Sequence, residues 1–283
     1  MAAGDVYNIS GGLFPARPAL KMLGGAVDDG VQIDALVAAA VLANHTHGTI
    51  TAWIMVPDVT GQYAVFGSGD ADAVEYFYFG VNAGYLECKA AVAGPDVNFD
   101  LTATTTQLTP YKWHHIAFVQ DGVRPQMYVD GVIQVCTETD VTESAYWYAD
   151  WANMDGGHWG CADSIAGGAL LTLEFKGLIG TCKIWSAAAA TGALSQDQIV
   201  DDMKGVSNTT SLFGHYTWTD TTLYTDVTGT YNGIKVGDFT RVNQGNEFVA
   251  RLQYEPAAPV VVADGIAISI SDNRADAVLV KAA

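Results

Sequence analysis

The sequence predicts an all-β sandwich with an N-terminal arm, one short helix and a C-terminal β extension. Three observations carry that expectation. From Thr49 onward, short runs rich in Val, Ile, Tyr and Phe are separated by Gly, Asp, Pro and Thr, as many short strands joined by turns require. Of the 283 residues, 49% are hydrophobic and 16% charged, less charge than the roughly 25% of an ordinary domain, so there is material for a large core. Helix signals are confined to a stretch after Trp185.

The elements follow in order. Residues 1–30 are rich in Gly, Pro and Ala, and Pro15 and Pro18 interrupt any regular element, so this part reads as an arm or a loose first strand pair. The apolar stretch Ile33 to Ala43 contains Asp34 and is too short to span about 30 Å of hydrocarbon. The runs TITAWIMV, QYAVFGS, VEYFYFGV, YLECKAAV, HHIAFVQ, QMYVDGVIQVC and LLTLEFKGLIGTCKIW then read as strands. In the third, Tyr76 and Tyr78 alternate with Phe77 and Phe79, placing aromatics on both faces and marking a central strand. Asp130-Gly131 between two apolar runs predicts a two-residue hairpin, because a type I′ turn needs positive φ at both central residues. Ser195 is placed to cap a short helix with Ile199 and Met203 on one face, Asp197 near its start and Gly205 at its end. Strand-like runs return from Val206. The organisation expected is an arm at 1–30, a sandwich at 31–205, and at 206–283 a β extension or the strands that complete the sandwich.

Composition narrows the functional classes. With 31 acidic and 13 basic side chains, net charge −18, the chain has no basic stripe to neutralise a phosphate backbone, which argues against nucleic acid. The start MAAGDVYNIS lacks a basic n-region and an apolar h-region, so no secretory signal is read, and a membrane partner is not expected. Cys88, Cys136, Cys161 and Cys182 stand far apart with no C-x-x-C pair; free thiols are expected, with Cys182 in the core. No P-loop, G-x-S-x-G or dinucleotide fingerprint occurs, and no cofactor is expected.

Four pieces, in this order, resemble the laminin-G-like branch of the concanavalin A-like jelly rolls: TITAWIMVPD, WHHIAFVQDG (Trp113 to Gly122), MYVDGV (Met127 to Val132), and GLIGTCKIWSAA followed by ALSQDQI (Gly177 to Ala188, Ala193 to Ile199). The resemblance covers roughly Val31 to Gly205 and implies a concanavalin A-like (LamG-like) β-sandwich jelly roll. His215 to Gly237 looks like the opening strand and D-x-x-G turn that usually precede this fold, here placed after it. Family members commonly carry an acidic residue after the G-x-I of the late strand, where this chain has Gly180-Thr181, so a calcium site is not carried across.

Several constellations are candidates for chemistry. Glu138, Asp140 and Glu143 form an E-x-D-x-x-E pattern that resembles the catalytic strand of laminarinase-type glucanases, with nucleophile, orienting acid and acid/base in that order; Thr at two of the three intervening positions departs from that strand. His45 and His47, if on one strand, share a face as a metal pair would; His114 and His115 fall on opposite faces and read as packing and hydrogen-bonding residues. No metal site is assigned. Asp70 with Asp72, and Asp150 with Asp155, carry oxygens suited to calcium but fit no EF-hand loop and read as solvated turns. Tyr146, Trp147, Tyr148, Trp151 and Trp159 crowd a Gly-rich stretch and are the candidate glycan or protein interface, against the alternative of a loop pinned over the sandwich by its own aromatics.

The function expected is non-enzymatic and structural: a virion surface subunit, a capsid decoration or head-fibre protein of a tailed phage. It would be made in the host cytoplasm, form a homo-oligomer with a trimer favoured, bind neighbouring capsid proteins and contact host glycans. The alternatives are a carbohydrate-binding module or adhesin, and a retaining β-glucanase using Glu138, Asp140 and Glu143.

Overall fold

The computed structural model describes residues 6–8, 17–24, 29–70, 75–92, 97–140, 142–163, 171–206, 208–219, 224–244, 261–262, 266–269 and 278–281. Two eight-stranded antiparallel sheets form a sandwich. The first runs Val132–Ile133, Pro125–Val129, His114–Gln120, His47–Met55, Lys176–Ala187, Arg17–Leu23 and Thr240–Gln244, with Leu212–Tyr216 also on the long Lys176–Ala187 strand. The second runs Cys136–Asp140, Val97–Ala103, Tyr85–Ala91, Tyr76–Asn82, Gln62–Gly69, Gly156–Trp159, Gly30–Gln32 and Ile234–Val236.

Alternation decides which side chains meet between the sheets. Ile50, Ala52, Ile54, Ile116, Phe118 and Ile184 point inward from the first, and Phe66, Phe77, Phe79, Phe99 and Leu101 from the second. Tyr76–Asn82 is interior, as its double-faced aromatics predict: Phe77 and Phe79 are core, while Tyr76 and Tyr78 stack on each other on the outer face at 6.3 Å between ring centroids.

The aromatic stretch 146–159 corrects the interface expectation. Trp147, Tyr148, Trp151 and Trp159 are fully buried, and Tyr146 packs half-buried against the same core. Trp151 stacks on Phe77 at 5.5 Å and Trp147 on Phe118 at 5.7 Å. The loop fills the space between the sheets because so much apolar area gains more from leaving water than from lying at the surface. Its approach depends on Gly48, where a Cβ would come within 2.3 Å of the Trp147 indole. The indole Nε1 donates to Ser186 Oγ at 3.0 Å, which also contacts His45 Nδ1 at 2.8 Å.

The turn and cap signals hold. Asp130 and Gly131 have φ of 50° and 79°, and Val129 pairs Val132 across the turn. Helix Gln196–Met203 has a capping box between Ser195 and Gln198. A second helix, Asp34–Leu42, lies under the sheets through Leu36, Val37 and Ala40. No helix among the described residues is long and apolar enough to cross a membrane. No disulfide joins Cys88, Cys136, Cys161 or Cys182 in the structure, and Cys182 is in the core.

The segments at both ends of the sequence reading join the sandwich. Arg17–Leu23, read within the arm, pairs Lys176–Ile179 on one side and Thr240–Gln244 on the other, because Leu20 and Met22 bury in the core while Ala19 packs on the outer face. Leu212–Tyr216 and Ile234–Val236 supply further strands. Between them Asp226, fully buried, accepts from the backbone N–H of His215 (2.8 Å), Thr228 (3.0 Å) and Tyr231 (3.0 Å), which is the D-x-x-G turn acting as a polar anchor. Val6–Asn8, Val261–Val262, Ile266–Ser269 and Val278–Lys281 pair as a separate four-stranded sheet.

Replacing Trp151 with Ala is expected to cost about 3–5 kcal/mol of unfolding free energy, measured by urea denaturation. An unchanged midpoint would mean that the ring is not core.

Candidate functional site

The outer face of the first sheet carries what the core rejects. Inward Ile50, Ala52 and Ile54 leave Thr51 and Trp53 outward; inward Ile116 and Phe118 leave His115 outward; inward Cys182 and Ile184 leave Lys183 outward. Pairing then gathers them, since Trp53 lies opposite His115, Lys183 opposite Thr51, and His215 opposite Lys183. Beside this row the helix Gln196–Met203 docks through Ile199, with Leu194 ahead of it, on Ala117, Val119 and Trp185. Its last turn forms one wall of a groove of about 350 Å³, and Thr217 and Thr219 form part of the rim.

Asp202 floors the groove and is buried. Lys183 Nζ donates to its Oδ1 at 2.6 Å, and Thr51 Oγ1 and His115 Nε2 donate to its Oδ2 at 2.9 and 3.3 Å. Burial pushes the Asp202 carboxyl up, but the His115 hydrogen bond and the charge and hydrogen bond of Lys183 outweigh it and hold the group well below the usual carboxylate range. Burial pushes the His215 imidazole down, the Lys183 charge adds to that, and Asp202 and Asp226 oppose it.

Tryptophan exposure singles out the same place. Five of the seven tryptophans are buried; only Trp53 and Trp113 are half-buried. A Cβ at Gly180 would lie 3.1 Å from Trp53 Cβ and 3.4 Å from the Trp113 ring, so both tryptophans adjoin that glycine. There the pairing with His47–Met55 shifts register between Ile179 and Cys182, a bulge of the kind that re-aims side chains. Trp53 meets His115 edge-on, 5.4 Å between centroids. Trp113 continues into an apolar patch with Tyr111, Met55 and Leu178.

The other sequence candidates lie apart. Glu138 and Asp140 are on the edge strand Cys136–Asp140, Glu138 exposed and paired with Arg124, Asp140 accepting from the Thr142 hydroxyl at 2.5 Å. Glu143 follows in the next turn and takes the amide of Asn98. The depression there is lined by Glu138, Thr139, Asp140 and Thr142 with no aromatic wall, so the retaining-glucanase pattern is not built into a cleft. His45 precedes the strand that begins at His47, and the two rings bond Ser186 and Thr46 respectively, so they do not act as a pair. His114 accepts from Thr109 N–H at Nε2 (3.1 Å) and donates from Nδ1 to Asp130 (2.9 Å), a packing and hydrogen-bonding role. Asp150 accepts from the Trp147 backbone N–H; Asp72 lies outside the described residues. No group of three metal-ligating side chains occurs among the described residues.

The sandwich with a stacking surface beside polar side chains defines the lectin-like class of β-sandwiches. The chain belongs to the Laminin_G_3 family of the concanavalin A-like lectin/glucanases superfamily, whose sequence model matches residues 24–200. No curated protein matches the sequence. Among solved structures it is similar to a Bacteroides ovatus protein classed as carbohydrate-binding (19% identity, TM-score 0.52, 81% of this chain and 60% of that one). It is also similar to the heptameric SAP-like pentraxin of Limulus polyphemus (12%, 0.52, 81% and 95%), and to the CBM40 of a Ruminococcus gnavus sialidase (13%, 0.49, 67% and 98%). The chain thus spans 60% of the length of the Bacteroides protein. At these identities the likeness is one of fold.

Asp202 titrates lower in the folded chain than the roughly 3.9 of a free aspartate. The stability it contributes is therefore complete above that pH and is lost as the pH falls from there through the folded value. Urea unfolding followed from about pH 6 to about pH 2 is expected to show a steeper acid loss for the unaltered chain than for Asp202→Asn. Equal slopes would mean that this carboxylate contributes no pH linkage.

Proposed function

We propose that this chain is a non-catalytic carbohydrate-binding module that holds a saccharide in the groove on the outer face of its first sheet. The observation that carries the reading is Trp53: in a chain that buries five of seven indoles, this one keeps open surface at the edge of a polar groove. An indole face covers the apolar C–H face of a pyranose, while the accessible hydroxyls of Thr181, Thr217 and Thr219 and the His215 imidazole match sugar hydroxyls. The family and the fold likeness to a Bacteroides protein classed as carbohydrate-binding support the same class. On a glycan array the chain is expected to bind at least one saccharide, and Trp53→Ala is expected to weaken that binding about tenfold or more while the melting transition stays in place. An array without a hit ends the proposal.

A second reading is favoured by one feature, the separate sheet that pairs Val6–Asn8 with Val278–Lys281. In it the module is the body of a virion surface subunit, made in the host cytoplasm and held to neighbouring capsid proteins, as a trimer, by its two ends. Light scattering of the full chain against a chain without residues 1–16 and 245–283 tests it: a trimer that becomes a monomer supports this reading, and a monomer in both cases removes it.

A further inference from the structure

Charge is distributed unevenly between the groove and the rest of the molecule. The chain has 31 carboxylate and 13 cationic side chains, yet the groove is lined by two lysines, Lys183 and Lys204, against one carboxylate. That carboxylate, Asp202, and Lys183 neutralise each other in a buried pair, with Thr51 and His115 also on the carboxylate, which leaves the Lys204 ammonium as the net charge of the lining. Lys204 stands exposed at the rim, just past the end of helix Gln196–Met203. On an acidic surface, a recess with low-dielectric walls and a cationic excess focuses the local field and concentrates anions. An anionic group held by an ammonium also makes the stronger, charge-assisted class of hydrogen bond.

Resting on the carbohydrate reading above, we propose that the saccharide bound in this groove is anionic, carrying a carboxylate or a sulfate ester that Lys204 receives while a neighbouring ring covers Trp53. The anionic group sits on the helix side of the groove. The uncharged ring lies toward Gly180, where Trp53 and Trp113 adjoin the bulge. Thr51 and Thr181 line the floor between them.

The test is a paired array: uronate-bearing oligosaccharides beside their methyl esters, and sulfated oligosaccharides beside their desulfated forms. The charged member of at least one pair is expected to bind about tenfold more tightly than its neutral partner, with the advantage shrinking as salt rises. Which set of pairs responds identifies carboxylate or sulfate. Lys204→Gln, a change at an exposed position, is expected to remove most of the preference and leave binding of the neutral partner unaltered. Equal binding of both members of every pair, or binding confined to neutral sugars, overturns the anionic assignment while the carbohydrate reading stands. A loss of binding in Lys204→Gln that is equal for the charged and the neutral member, leaving the preference in place, also overturns it. Absence of binding to any member or to neutral glycans removes the carbohydrate reading itself.

Discussion

The structure depends on filling the space between two sheets with aromatic rings. Phe77 from one sheet and Phe118 from the other meet at 5.0 Å, and Trp147 and Trp151 enter from the loop to close around them. Facing sheets stand about 10 Å apart, and here the inserted indoles complete the packing of that gap. Once the inner faces are committed, alternation leaves no choice for the opposite set. Thr51, Trp53, His115 and Lys183 face outward because their neighbours in sequence face in. The groove is in this sense a by-product of the core.

What turns that outward row into a shaped site is the helix that follows the late strand. Its docking is half apolar and half polar. Ile199, together with Leu194, covers Ala117, Val119 and Trp185, which gives affinity without a fixed register. Asp202, one turn further, must meet Lys183, Thr51 and His115 together, which gives a register without much net affinity, since desolvating an ion pair offsets most of its Coulombic gain. The pair therefore sets where the helix end lies, and the helix end sets where Lys204 stands.

Much of the fold was legible in the sequence, and what was not has identifiable reasons. Asp130-Gly131 and the Ser195 capping box are local signals, complete within a few residues, and both formed as read. Helix Asp34–Leu42 escaped because it is almost uniformly apolar, so it shows no period that separates helix from buried strand. The stretch 146–159 misled because a crowd of aromatics has the same composition whether it makes an interface or a core; Gly48, nearly a hundred residues away, decides between them. Thr51, Trp53 and Lys183 alternate with apolar neighbours along their strands, so each is placed locally on the face away from the core. That Trp53, His115, Lys183 and Asp202 converge is a property of strand pairing between distant segments, which no local pattern encodes.

The same geometry bears on whether the groove binds or transforms its ligand. A general acid must hold a proton at working pH, and a general base must present a lone pair to the substrate. Asp202 does neither: its two oxygens accept three donors from the protein, and its partners keep it ionised far below neutrality. Such a carboxylate stabilises a lysine and a histidine in place instead of exchanging protons with a ligand. Glu138 and Asp140 stand on an outer strand with no concave wall to orient a sugar ring. Among the described residues, stacking and hydrogen-bonding groups gather in the groove while Glu138 and Asp140 stand apart from it, a separation that suits recognition.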